Sequence, residues 1–420
     1  MFNRGLSLEQ APPISVIMRF FLTIPLFGLF SAGAILFADA DMLLQWDTPG
    51  TVAVVHLLML GVVATAMVGA LFQMLPVIAG ASISEPEYHA RWIHILMTLG
   101  TVLLAAAFYF NLYFLMHPSV PLLLGSLGFV SFMMFYKLLA VENKTPSVIG
   151  MMISIASLGV GLIFALILTA IFMDMDVGLD PLLLRAIHLH FMLFGWVGVL
   201  VMAVAFQVIE MFYVTPPYPK EMSDLLPIAV FALLLVYILF SYLIPEATGL
   251  VDFLLSLLFF SFAFMTLRRL NQRKRPVVDA TVWLWRIGMV SLAASSVTAV
   301  LSLFIYSDLF LSVSALLFGY FVLSVIYAMS YKIVPFLVWF HLNAKGVPEC
   351  PMMGDIIPAK RAMWHLRLHL ALLAGGVLLL ATPYAWKFIG VALAAESLLY
   401  GFNLLGAVRI YRSLKDKGVL

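Results

Sequence analysis

Three histidines of this chain fall where an ionisable side chain is least expected. His56, His188 and His190 each lie inside a long apolar run, and a titratable group within a bilayer is costly enough that each marks a candidate site. A neutral imidazole at such a depth is a ligand for heme iron or for copper. His188 and His190 are two residues apart, so on a helix they point about 200° from each other and do not ligate one ion together. One is expected to face the run that carries His56, the other to face elsewhere. Arg185, almost one helical turn before His188, is one of few cations on that side. It is a candidate partner for an anionic group of a cofactor, or a side chain reaching to lipid phosphate. Lone histidines in spans also serve simply as hydrogen-bond donors to a neighbouring helix.

The elements that must position these residues follow from composition. Of 420 residues, 64% are hydrophobic and 10% charged, against roughly half and a quarter in soluble domains. The apolar character runs along the whole chain, which leaves no separate water-soluble domain. Runs of spanning length lie near 14–36, 51–80, 92–116, 119–140, 147–173, 183–214, 225–246, 248–267, 279–305, 308–340, 362–386 and 388–410. The expectation is an all-α, polytopic membrane protein of about twelve transmembrane helices. The first run is too long for the apolar part of a signal peptide and is taken as the first span. The runs starting at 51, 183 and 308 exceed what a bilayer requires and should tilt or project. Tight hairpins are expected at Pro245 and Pro383.

Charge sets orientation. Arg91, Lys137, Lys144, Lys220, the cluster Arg268, Arg269, Arg273, Lys274 and Arg275, then Lys345, Lys360, Arg361, Arg409, Arg412, Lys415 and Lys417 fall on alternate loops. Asp39, Asp41, Asp47, Asp174, Asp176, Asp180, Glu246, Asp252 and Asp308 fall on the others, with Arg185 and Lys387 as the few cations. The basic side is expected to be cytoplasmic, with both termini there.

Internal repetition adds equivalences. HLLMLGVVATAMVGALFQMLP from His56 aligns with HFMLFGWVGVLVMAVAFQVIE from His190, matching His56 to His190, Gly61 to Gly195 and Gln73 to Gln207. SALLFGYFVLSVIYAMSYKIVP from Ser314 fits the same frame, with Gly319 in the glycine place, Tyr331 in the glutamine place and Ser314 where a histidine would stand. Three four-helix pseudo-repeats within one transmembrane domain are therefore expected, about 14–140, 147–267 and 279–413.

This plan, with histidines near the outer ends of the second and sixth helices and an HLHFMLFGWVG stretch, resembles the heme-copper oxidase subunit I superfamily. The HLLMLG and HLHFMLFG segments are similar to the NnrS family of heme- and copper-containing membrane proteins linked to nitric oxide metabolism. The resemblance implies a bacterial inner membrane location, a heme of b type and a place for copper. It also implies a diatomic gas ligand and a redox partner protein. His56 and His190 become the expected axial ligands, His188 a second metal ligand or propionate donor, and Arg185 a propionate anchor. The departures are as informative. The family places a histidine pair on its seventh helix and two heme ligands on its tenth, but LLPIAVFALLLVYILFSYLIPE has no histidine, and His341 lies at the opposite end of its run from Ser314. A complete binuclear oxygen-reducing site is not expected.

Other features carry less. Gln73, Gln207 and Tyr331, with Glu210 and Lys332 nearby, suggest a polar layer toward the basic side, serving interhelical hydrogen bonding and snorkelling rather than a proton path. His365 and His369 are one turn apart, a spacing that permits metal binding, but Arg361 and Arg367 beside them favour a headgroup-facing basic surface. His89, His94 and His117 are read the same way. Cys350 excludes an internal disulfide as the sole cysteine, and with Met352 and Met353 offers soft ligands for cuprous ion or ordinary loop residues. No phosphate-binding loop, nucleophile elbow or zinc-protease motif appears, and nucleic acid is not an expected partner. A transporter of a small molecule or metal is the alternative class, although no broken helix pair with charged residues at mid-membrane is evident.

Overall fold

A computed structural model describes residues 8–43, 47–274, 277, 279–305, 308–348, 350–382 and 384–417. Arg275 and Pro383, expected in a basic cluster and a hairpin, fall outside the described residues. Twelve helices are long and apolar enough to cross a membrane, and no strand occurs among the described residues. We number them α1 (Ile14–Phe37), α2 (Pro49–Ala79), α3 (Pro86–Tyr109), α4 (Tyr113–Leu139), α5 (Pro146–Phe172) and α6 (Pro181–Tyr213). They continue as α7 (Lys220–Leu243), α8 (Pro245–Asn271), α9 (Ala280–Ile305), α10 (Asp308–Ala344), α11 (Ala359–Leu379) and α12 (Ala385–Lys417). The expected all-α polytopic architecture is thus observed, with α7 and α8 meeting tightly at Pro245.

Helix starts follow local chemistry. Pro49, Pro146 and Pro181 open α2, α5 and α6, each preceded by Thr48, Thr145 or Asp180, whose side-chain oxygen accepts from a first-turn N–H. Proline suits the first turn because its missing N–H is not needed there, and the capping oxygen satisfies one that is. The longest spans are α10 at 37 residues, α6 and α12 at 33 each and α2 at 31. At about 1.5 Å per residue they exceed a hydrocarbon core of about 30 Å. Alternation of direction puts the basic loops at one end of the bundle and the acidic loops at the other. The two faces are called the basic and acidic ends below.

Packing joins the chain into one bundle. α9 lies along α10, α8 along α9 and α12 along α1. The α1–α12 contact is close: a Cβ on Gly28 would stand 2.2 Å from Ser397 Oγ, and one on Gly390 would stand 2.7 Å from Leu36. Small residues at such points let helix backbones approach, which is where helix association in a bilayer gains its dispersion energy. At the basic end, Gln73, Met74, Val77 and Ile78 of α2, Val208, Met211 and Phe212 of α6 and Ile333, Phe336 and Leu337 of α10 face one narrow cleft.

Candidate functional site

The acidic halves of α2 and α6 are built alike. In each, the helix widens to π-helical hydrogen bonding just after the histidine, over Leu57–Ala64 behind His56 and over Phe191–Gly198 behind His190. A π turn inserts a residue into the helical ladder and is characteristic of functional segments. Gly61 and Gly195 lie within these turns, and neither tolerates a side chain. A Cβ would fall 2.3 Å from Phe27 of α1 at Gly61, and 2.6 Å from Ser157 of α5 at Gly195. α10 differs. It is α-helical throughout, and a Cβ on Gly319 would meet nothing within 4 Å.

All three outer histidines donate Nδ1–H to a main-chain carbonyl. His56 reaches Val52 O at 2.8 Å, His188 reaches Gly161 O of α5 at 3.0 Å and His190 reaches Ala186 O at 2.7 Å. A carbonyl only accepts, so each Nδ1 carries the proton and Nε2 is the remaining position. For His56 and His188, no hydrogen bond to Nε2 is made among the described residues. Both rings are half-buried. His56 also stacks on Phe108 of α3, with ring centroids 5.9 Å apart.

His190 is in another chemical state. Its Nε2 lies 2.7 Å from Asp252 Oδ1 of α8, and its ring stacks on Tyr237 of α7 at 3.8 Å. With Nδ1–H committed to Ala186, a contact between Nε2 and a carboxylate requires a further proton between them. The His190–Asp252 pair therefore holds that proton as an imidazolium–carboxylate or its neutral equivalent. His188 thus turns to α5 and His190 to α7 and α8, as the two-residue spacing requires. Arg185 is exposed and makes no hydrogen bond or ion pair among the described residues.

The third region corrects the reading of His365 and His369 as a headgroup-facing surface. Both are fully buried, whereas Arg367 on the opposite face of α11 and Arg361 one turn earlier, at the helix start, are exposed. Those arginines cover Phe402 at 5.1 Å and Trp364 at 4.5 Å instead. Each histidine bonds the same oxygen of Glu396 on α12, His365 Nε2 at 3.1 Å and His369 Nδ1 at 2.7 Å. Glu396 is itself 0% exposed. Tyr331 OH meets His365 Nδ1 at 2.6 Å and accepts from Asn403 Nδ2 at 2.9 Å, while Ser324 Oγ lies 2.7 Å from His369 Nε2. The sequence reading missed Glu396, although a carboxylate deep in a spanning run is the signal that would have found it.

The expected polar layer is dispersed rather than continuous. Gln73 is buried with Oε1 unpartnered among the described residues, Gln207 is half-buried and Glu210 exposed, while Tyr331 turns to α11 and α12. Lys332 pairs with Asp279 at 2.5 Å. Tyr213 OH donates to Thr281 Oγ1, which donates to Asp279, so α6, α9 and α10 are tied at the basic end. Burial works against ionising Asp279, but the Lys332 bond and charge, with donors from Thr281 and Val282, outweigh it and hold the carboxyl below its ordinary pKa. His94 bonds Thr23 at 2.7 Å where α1 is interrupted. Cys350 rests against the Trp339 carbonyl, and burial raises its thiol pKa, which disfavours the thiolate that a metal takes. Among the described residues no group of three or more His, Cys, Asp or Glu is arranged to hold a metal ion. In comparisons with known protein families and with curated proteins, no match to this chain was found.

Proposed function

We propose that this chain is a heme-binding integral membrane protein acting in redox or nitric oxide-related chemistry, without a complete binuclear oxygen-reducing site. The observation that carries the reading is the shared state of His56 and His188. Each has Nδ1 tied to a main-chain carbonyl and Nε2 without a hydrogen bond among the described residues. That is the arrangement by which ligating histidines are oriented and made more basic. Two imidazoles prepared in this way would suit ligation of a heme iron, and their shared state supports His56 with His188 as the ligands over His56 with His190.

When bound, the heme supplies one-electron exchange and, if one ligand is displaceable, a position for a diatomic gas. The chain's own residues orient and exclude. The Val52 and Gly161 carbonyls fix the ring tautomers, Phe108 packs on one ring, and the π turns set the rotation of α2 and α6 below them. Arg185 stands exposed at the acidic end as the cation for an anionic edge group. His190 and Asp252 retain a proton beside this region. In this reading the basic end faces the cytoplasm of a bacterial inner membrane, and copper, if present, takes a histidine that the heme leaves free.

The test is an optical spectrum of the purified protein, oxidised, reduced and exposed to nitric oxide or carbon monoxide. Near-stoichiometric heme bands are expected, lost or converted to five-coordinate in His56→Ala and His188→Ala and unchanged in His365→Ala. A spectrum altered by His190→Ala but not by His188→Ala would return the second ligand to His190. A chain that stays colourless after heme supplementation would overturn the reading and favour small-molecule transport.

A further inference from the structure

We propose that Glu396, His365 and His369 form an intramembrane proton-binding site holding one exchangeable proton, with the Ser324 hydroxyl as its two-position switch. The proposal uses residues of α10, α11 and α12 alone and does not depend on heme.

Hydrogen-bond accounting carries it. Tyr331 OH accepts from Asn403, and its own proton has no acceptor other than His365 Nδ1 among the described residues, so it donates there. His365 is then neutral and donates Nε2–H to Glu396 Oε1. His369 is different, because its partner on the far side is ambiguous. Ser324 Oγ lies 2.7 Å from both His369 Nε2 and the Tyr320 carbonyl, and it has one proton to give. If that proton goes to Tyr320 O, His369 Nε2 must donate to Ser324. The contact between His369 Nδ1 and Glu396 at 2.7 Å then contains a second proton, as imidazolium–carboxylate or as imidazole–carboxylic acid. If the Ser324 proton goes to His369 Nε2, that extra proton is absent and the cluster carries one negative charge. The two states differ by one proton and one hydroxyl rotation.

The surroundings favour the protonated state and keep the alternative within reach. His365, His369 and Glu396 are each 0% exposed, and an uncompensated charge there is expensive, whereas the extra proton brings the cluster to neutrality. The titratable groups facing it are Tyr320, Tyr327 and Tyr331 from α10 and Tyr400 from α12. Among the described residues, no Lys, Arg or Asp is hydrogen-bonded or ion-paired to it. Glu396 Oε2 has no hydrogen-bond partner among the described residues, so the carboxyl retains acceptor capacity that a wholly structural ion pair would use.

The experiment is pH-dependent infrared difference spectroscopy on the full chain reconstituted in lipid, comparing wild type with Glu396→Gln, His369→Gln and Ser324→Ala. Wild type should show a carboxyl and imidazole protonation signal that both glutamine variants lack. His369→Gln keeps an N–H donor toward Glu396 and decides the matter if Glu396→Gln does not fold. Ser324→Ala removes the acceptor of the protonated ring, a larger loss than removing a donor to the neutral one. Its midpoint should fall by about one pH unit, a tenfold loss of proton affinity. Wild-type spectra that superimpose on those of a folded glutamine variant at every pH would overturn the proposal, leaving a static hydrogen-bonded brace. An unmoved midpoint in Ser324→Ala would overturn the switch.

Discussion

The acidic halves of α2 and α6 and the middle of α10 to α12 both hold histidines in a bilayer, yet they solve opposite problems. His56 and His188 are half-buried, tie one ring nitrogen to main chain and leave the other without a hydrogen bond among the described residues. His365 and His369 are fully buried, and every ring nitrogen has a side-chain partner. An imidazole kept incomplete is suited to receive something, and one completed on both sides is suited to hold structure or a proton. His190 stands between, with one nitrogen on main chain and the other on Asp252.

The sharpest way to break this comparison is to remove the carboxylates. Glu396→Ala leaves two buried rings without their shared acceptor, and should cost about 3–5 kcal/mol, read as a large fall in Tm in detergent. Asp252→Ala removes a carboxylate that is 32% exposed, and should cost about 1 kcal/mol. Equal losses would remove the distinction between the regions. A smaller effect separates α2 from α10. Gly61→Ala drives a Cβ into Phe27 and should cost about 1–3 kcal/mol, whereas Gly319→Ala meets open space and should stabilise by up to about 1 kcal/mol. The smallest concerns Asp279. Its carboxyl pKa is depressed in the folded protein, so its stabilising effect is present above the unfolded carboxylate range and fades as pH falls through the lower folded value. Asp279→Asn should lower Tm at neutral pH and converge on wild type in acid, measured as paired melting curves across pH.

Much of this was legible in the sequence, and the limits have physical causes. Span number follows from length and apolarity, which are summed properties that survive errors in any one residue. The outer histidines were legible because their local sequence repeats. Their partners were not, because helix rotation decides which ring meets which neighbour. That rotation depends on the π turns behind His56 and His190, which no residue type announces. At His365 and His369 the flanking arginines outweighed the correct cue. An exposed arginine and a buried histidine two residues apart lie on opposite faces of a helix, and α11 does this at Arg367 between His365 and His369. The deciding residue, Glu396, lies on another helix in a run whose mean hydropathy conceals one carboxylate.

The seam between α1 and α12 sets a timetable for assembly. Of these twelve helices α1 is synthesised before the others, and its side chain Phe27 meets Gly61 of the next. Its opposite flank, at Pro25, Gly28 and Leu36, matches Gly401, Ser397 and Gly390 of the last helix. That flank has no partner from this seam until α12 is inserted. Contacts of such long sequence separation form late and slowly. The carboxylate of Glu396, on the helix that closes the seam, must enter the bilayer near its two histidine partners, so ring closure and charge compensation become a single terminal event.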